Sequence, residues 1–234
     1  MSNFIFMEID IVIIEKSIDK MRKYIIENTV LIEDDRKEVE NSKKIKYDKK
    51  IVLDINNIMS YKDPSKKYGY RFLIEYDLKN GNKNKKALFI MKNPSMADEN
   101  WSDNTVNRVL ETMHNFQYSK VYIMNLIPEY APKPCDIHVE YLYKDLLDSN
   151  DELIEILSDN VSRVFVAWGG NKSHEIPCDF YKLRIDSVKI ELQGAIKKNK
   201  VYCYCYNKDE TPRHPGRARW WNTKRKECEY KLYQ

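Results

Sequence analysis

Four short runs constrain the fold more than anything else in this chain: ALFIM at 87–91, VYIMNLI at 121–127, VFVAW at 164–168 and VYCYCY at 201–206. Several are apolar at consecutive positions, which marks strands buried on both faces. Helical spacing fills the gaps between them. Val106, Val109, Leu110, Met113 and Phe116 make one helical face, with Asp103 or Asn104 placed to cap it. SNDELIEIL opens on Ser149 and Glu152, a capping-box spacing, and a further helix is expected over much of Asp179 to Lys197. Strand and helix in alternation predict a three-layer α/β/α domain with a mainly parallel central sheet. Upstream, YRFLIEYD and KALFIMK read as two strands joined by a hairpin at the Asn-Gly of NGNKNK.

The first 60 residues have a different character. Ile11, Ile14, Ile18, Met21 and Ile25 recur at helical spacing, and the highly charged EDDRKEVENSKKIKYDKK follows. We read residues 1–60 as a helical, charged N-terminal extension, and 61–234 as the α/β domain. The extension either packs on that domain or mediates self-association or a protein partnership.

Composition adds limits. With 42% hydrophobic and 32% charged residues the chain is expected to be a soluble globular protein. The N-terminus MSNFIFMEIDIVII is interrupted by Glu8 and Asp10 and lacks a basic leader, so neither a signal peptide nor a membrane span is expected. The five cysteines lack CxxC spacing, and with four histidines they form no zinc pattern, so we expect reduced thiols, a cytoplasmic location, no metal and no cofactor. Cys203 and Cys205 alternate and are expected on one face. Heavy use of Lys, Asn and Ile fits an AT-rich coding genome, bacterial or phage.

In parallel sheets, ligands bind beyond the carboxyl ends of the strands. Those ends deliver Asn93-Pro94-Ser95, Asn125, Trp168-Gly169-Gly170 and the loop NKDETPRHPGR. An asparagine amide offers a donor and an acceptor together, which suits a nucleobase edge. Trp168 offers a stacking face. His214, Arg213 and Arg217 can meet phosphate or developing negative charge. Net charge is only +4, but Thr211 to Lys226 holds six arginines and lysines, Arg219 among them, and no acid. Such a patch fits a phosphate-bearing partner. No GxGxxG, Walker loop or nucleophile elbow is present.

The ordered motifs NPSMAD, DNTVNR, NL, AWG and PRHP resemble those of an uncharacterised bacterial and phage domain family. The likeness spans roughly Tyr70 to Pro215. Asn104 stands where that family has proline, and Tyr130 about where arginine is usual. More distantly, the same strand ends are similar to the uracil-DNA glycosylase superfamily. That resemblance implies Asn93 at the water-handling position, Asn125 at the base-reading position and His214 at the base carbonyl. Met91 and Ser95 stand in place of its glycines, and Gly216 in place of its serine. The resemblance implies cleavage of an N-glycosidic bond in DNA, with the base flipped into the pocket. An amide is a poor base, so Asp98 and Asp103 are candidates for that role. Pro94, Ser95, Trp168, Gly169 and Arg108 would line the base site, and Arg213, Arg217, Arg219 and Lys208 would meet phosphates.

Two further readings stay open. The pocket can hold a free nucleotide or cyclic nucleotide signal without cleavage, as a phage counter-defence protein would. Alternatively the chain is an interaction module with a vestigial pocket, working through its N-terminal helix. RARWWNTKRK, with Trp220 and Trp221, is either a nucleic-acid contact or a packing anchor.

Overall fold

The computed structural model describes residues 45–61, 69–94, 97–131, 134–137, 139, 144–171, 175–216, 221–224, 226–227 and 230–233. The expected N-terminal helix therefore lies outside the described residues. Seven strands form one mixed sheet: β1 (Val52–Tyr61), β2 (Tyr70–Leu78), β3 (Asn82–Met91), β4 (Tyr118–Asn125), β5 (Arg163–Val166), β6 (Val201–Cys203) and β7 (Lys231–Leu232). The helices are α1 (Asn104–Asn115), α2 (Lys144–Asn160), α3 (Cys178–Glu191) and α4 (Gln193–Lys197).

The strand order is β1-β2-β4-β3-β5-β6-β7. β4, β3, β5 and β6 run parallel, and β1, β2 and β7 pair antiparallel at the two sides. The chain is thus α/β, but with a sheet more mixed than the apolar runs suggested. Antiparallel edge strands are short or half exposed, so they lack the two-sided apolar pattern that reveals a buried parallel strand. Residues 52–60, assigned above to the extension, are the edge strand β1 instead. Asp54 and Asn56 are exposed polar residues within it, which hid it.

Alternation along β3 separates two apolar clusters. Ala87, Phe89 and Met91 pack with Val106, Val109, Leu110 and Met113 of α1. Leu88 and Ile90 pack with Leu146, Leu153, Ile154 and Leu157 of α2 and with Tyr181 and Val188 of α3. The period-2 alternation of the strand thus meets the period-3.6 stripes of the helices in two separate clusters. α2 begins at Lys144, a turn before the Ser149/Glu152 box. The reason is the buried stripe Leu146, Asn150, Leu153 and Leu157, which already starts upstream.

β2 and β3 are consecutive but do not pair, because β4 lies between them. The Asn-Gly signal did mark a turn: Asn80 sits at φ 58. That turn passes beneath the start of β4, with Asn82 N–H donating to the Gln117 carbonyl. A Cβ on Gly81 would lie 2.3 Å from the Tyr118 carbonyl oxygen, so the crossing needs glycine. Cys203 and Cys205 do not share a face. Cys203 joins the α2/α3 cluster and Cys205 packs toward the other, because the strand ends at Cys203 and the chain bends at Tyr204.

The strand order places a switch point between β3 and β5. The connection from β3 leads through α1 to β4 on one side, and the one from β4 leads through α2 to β5 on the other. The carboxyl ends of β3 and β5 therefore border a crevice of the kind that holds ligands in open α/β sheets. No described helix is long and apolar enough to cross a membrane.

Candidate functional site

Backbone hydrogen bonds bind the four parallel strand ends together. Leu126 and Ile127 donate to the carbonyls of Met91 and Lys92 at 2.8 and 3.0 Å, and Ala167 donates to Ile90 at 2.8 Å. Gly169 donates to Pro212 at 2.9 Å, which brings the PRHP loop onto the end of β5. These bonds join the ends of β3, β4 and β5 to one another and to the loop after β6.

Asn125, the last residue of β4, is the most unusual group among them. Its side chain is fully buried, and neither its Nδ2 nor its Oδ1 has a hydrogen-bond partner among the described residues. Each such orphan costs about 1–3 kcal/mol unless something outside the chain satisfies it. Asn125 pairs in register with Met91 and alternates with Met124, so its side chain lies on the α1 side of the sheet. Its backbone is fixed from the other side: Asn150 of α2 donates to the Asn125 carbonyl at 3.1 Å, and Arg184 Nε of α3 donates to the Leu126 carbonyl at 2.9 Å. Arg184 in turn grips buried Asp151 through two bonds of 2.8 and 2.5 Å.

His214 packs on the glycine that follows Trp168. Gly169 has φ +74, and a Cβ there would lie 3.1 Å from the His214 Cβ. The Gly216 N–H donates to His214 Nδ1 at 3.0 Å. The neutral ring then carries its proton on Nε2, as a donor. Burial lowers the His214 pKa to about 4; the positive charges of Lys92 and Arg108 push the same way, and Asp103 opposes them. The imidazole is therefore neutral at pH 7 although part of its surface stays accessible. Arg108 Nη1 donates to the Pro215 carbonyl at 2.9 Å and ties α1 to this loop.

Asn93 is held by its own amide: Nδ2 donates to the carbonyls of Pro94 (3.0 Å) and Ala131 (2.8 Å). The Pro94 carbonyl also accepts from the Ala131 N–H at 3.3 Å. Both acidic candidates organise backbone. Asp98 Oδ1 accepts from the N–H groups of Asn100 and Trp101, each at 2.7 Å. Asp103 is the N-cap of α1 and accepts from Thr105 and Val106 at 2.7 and 2.8 Å. Trp168 is no stacking platform. It is fully buried in the cluster opposite α1, edge-on to Tyr233 at 5.5 Å. The sequence carried the signal: Trp168 and Val166 share a face, and Ala167 takes the other.

Among the expected phosphate contacts, Lys208 is exposed and Arg213 half-buried beside the site loop. Ser95, Arg217 and Arg219 lie outside the described residues. Lys92 was not expected. Its Nζ donates to the Gly170 carbonyl at 2.8 Å and stands 5.2 Å from the Tyr181 ring centre. Burial lowers its pKa, against the charges of Glu175 and Asp209. A lysine closing an otherwise apolar strand was the available sign.

The family described as "Protein of unknown function (DUF1643)" matches residues 71–216, which contain all five motifs and every strand end just described. Neither the curated proteins nor the solved structures give a significant match.

Proposed function

The chain belongs to the DUF1643 family, and we propose that its strand-end pocket recognises a nucleobase and cleaves the N-glycosidic bond of a base, modified or not, in DNA. The carrying observation is the buried Asn125 amide, both of whose polar groups lack a partner among the described residues. A base edge that alternates acceptor and donor satisfies both at once. On this reading the sheet is that of a three-layer, uracil-DNA glycosylase-like domain.

The chemistry follows from the neighbours. The base departs as an anion, and neutral His214 donates Nε2–H to the oxygen on which charge develops. Asn93 spends its N–H groups on the loop, so its Oδ1 can accept from the attacking water. Asp98 and Asp103 each spend Oδ1 on backbone N–H groups, which lowers the basicity of the carboxylate. Modest turnover is the consequence.

The same engaged carboxylates favour a second reading, in which the pocket holds a free nucleotide without cleavage. One experiment separates the two. Single- and double-stranded oligonucleotides with uracil, modified pyrimidines or normal bases are incubated with the protein, and released base is measured by mass spectrometry. Nucleotides are screened in parallel by thermal shift. Base release that disappears in Asn93→Ala and His214→Ala supports hydrolysis. No release, with stabilisation by one free nucleotide of about 2.7 kcal/mol at a hundredfold excess over Kd, supports the binder. No base release together with no stabilisation by any nucleotide removes the nucleobase reading.

A further inference from the structure

Lys92 has a position and an environment that the scheme above does not use. It is the first residue beyond β3, next to Asn93, at the border of the β3/β5 crevice. Its Nζ is half-enclosed, with one carbonyl bond to Gly170 and the Tyr181 ring beside it. Gly170 is itself enclosed by the loop that carries His214: a Cβ there would lie 2.3 Å from Asp209 Oδ2 and 3.1 Å from Thr211 Oγ1. A lysine needed only for solubility would not be folded inward at a site rim. Partial removal from water favours the free amine, the nucleophilic form.

We infer that Lys92 is an amine nucleophile for an aldehyde-bearing substrate, namely the ring-opened deoxyribose left when a base is lost from DNA. This rests on the nucleobase reading of the pocket. The Nζ lone pair attacks the C1′ aldehyde, and the oxygen takes up a proton to give a carbinolamine. Loss of water then leaves a protonated imine. Removal of a C2′ proton drives elimination of the 3′ phosphate, and water finally releases the amine. No oxidant or metal enters. Glu175 and Asp209, the carboxylates whose charges reach Lys92, are the acidic groups we assign to these proton transfers.

The test uses the full chain and an oligonucleotide with a preformed abasic site, so base release is not required. Binding is measured by fluorescence anisotropy without reductant. Cyanoborohydride is then added, the covalent adduct is read on a denaturing gel, and the modified lysine is located by peptide mass mapping. The expected result is an adduct mapping to Lys92 and lost in Lys92→Arg, which keeps the charge but not the nucleophile. Equal melting temperatures of the two proteins exclude unfolding as the cause. Binding without an adduct, or an adduct that persists in Lys92→Arg, overturns the inference and leaves the nucleobase reading intact. No binding to abasic DNA or to any nucleobase removes both.

Discussion

At the scale of single residues, Asn125 and His214 make opposite demands. Asn125 carries two buried polar groups that have no partner among the described residues. Asn125→Leu, similar in volume, removes both orphans. We expect the free protein to gain about 1–3 kcal/mol in urea denaturation while ligand binding is lost. A group kept only for packing would show the reverse, since nothing would be gained by removing its amide. His214 governs the acid side. Its folded pKa of about 4 lies below the ordinary 6.5. The unfolded chain therefore binds the proton more readily between those values, and stability falls as pH drops from 6.5 to 4. Melting temperatures across that window should decline more steeply in the wild type than in His214→Gln. The types and places of both residues were legible in the sequence because each follows a buried apolar strand. Lys92 was not, since lysine is by default a surface residue and only its enclosure distinguishes it.

At the scale of elements, α2 and α3 determine where β4 ends. Asn150 and Arg184 hold the carbonyls of Asn125 and Leu126, and Asp151 holds Arg184. Both members of that ion pair are buried, with side chains 4% and 11% exposed. Asp151→Ala leaves an uncompensated guanidinium inside the protein and should cost roughly 3–5 kcal/mol. Asp151→Leu with Arg184→Met should cost less than either single change, because no charge is stranded. Even where the double variant folds, affinity at the pocket should fall, since the Leu126 carbonyl loses its donor. Calorimetric titration with the ligand found by thermal shift would read this. α2 was legible as a helix, but its start was not, because Leu146 lies upstream of the capping-box pattern. The supposed β2/β3 hairpin failed for a different reason. Local residues encode a turn, whereas the partner across it is set by β4, which forms only 36 residues after Asn82.

At the scale of the whole molecule, the C-terminal return closes the fold. The alternating runs foretold the parallel strands, but the antiparallel edge β7 is two residues long and leaves no pattern. Charge closes part of the return: Glu227 reaches Lys85, Arg163 and the Tyr118 hydroxyl at 2.9, 3.1 and 2.6 Å. Aromatic packing closes the rest. Trp221, 4% exposed, stacks on Tyr204 at 4.5 Å and meets Tyr230 at 6.2 Å and Phe89 at 6.4 Å. Its indole N–H donates to Thr112 Oγ1 at 3.1 Å, which joins the return to α1. This resolves the RARWWNTKRK ambiguity for Trp221, which is a packing anchor. Trp221→Ala should cost about 3–5 kcal/mol. Trp221→Phe retains a ring and should lose about 1 kcal/mol with the hydrogen bond. The denaturant slope decides between two kinds of loss. An unchanged slope with a lower midpoint means the return unfolds together with the sheet. A smaller slope means that it detaches first, which the ion pairs of Glu227 on β3 and β5 oppose, since they bind the return to the same strands whose far ends build the site.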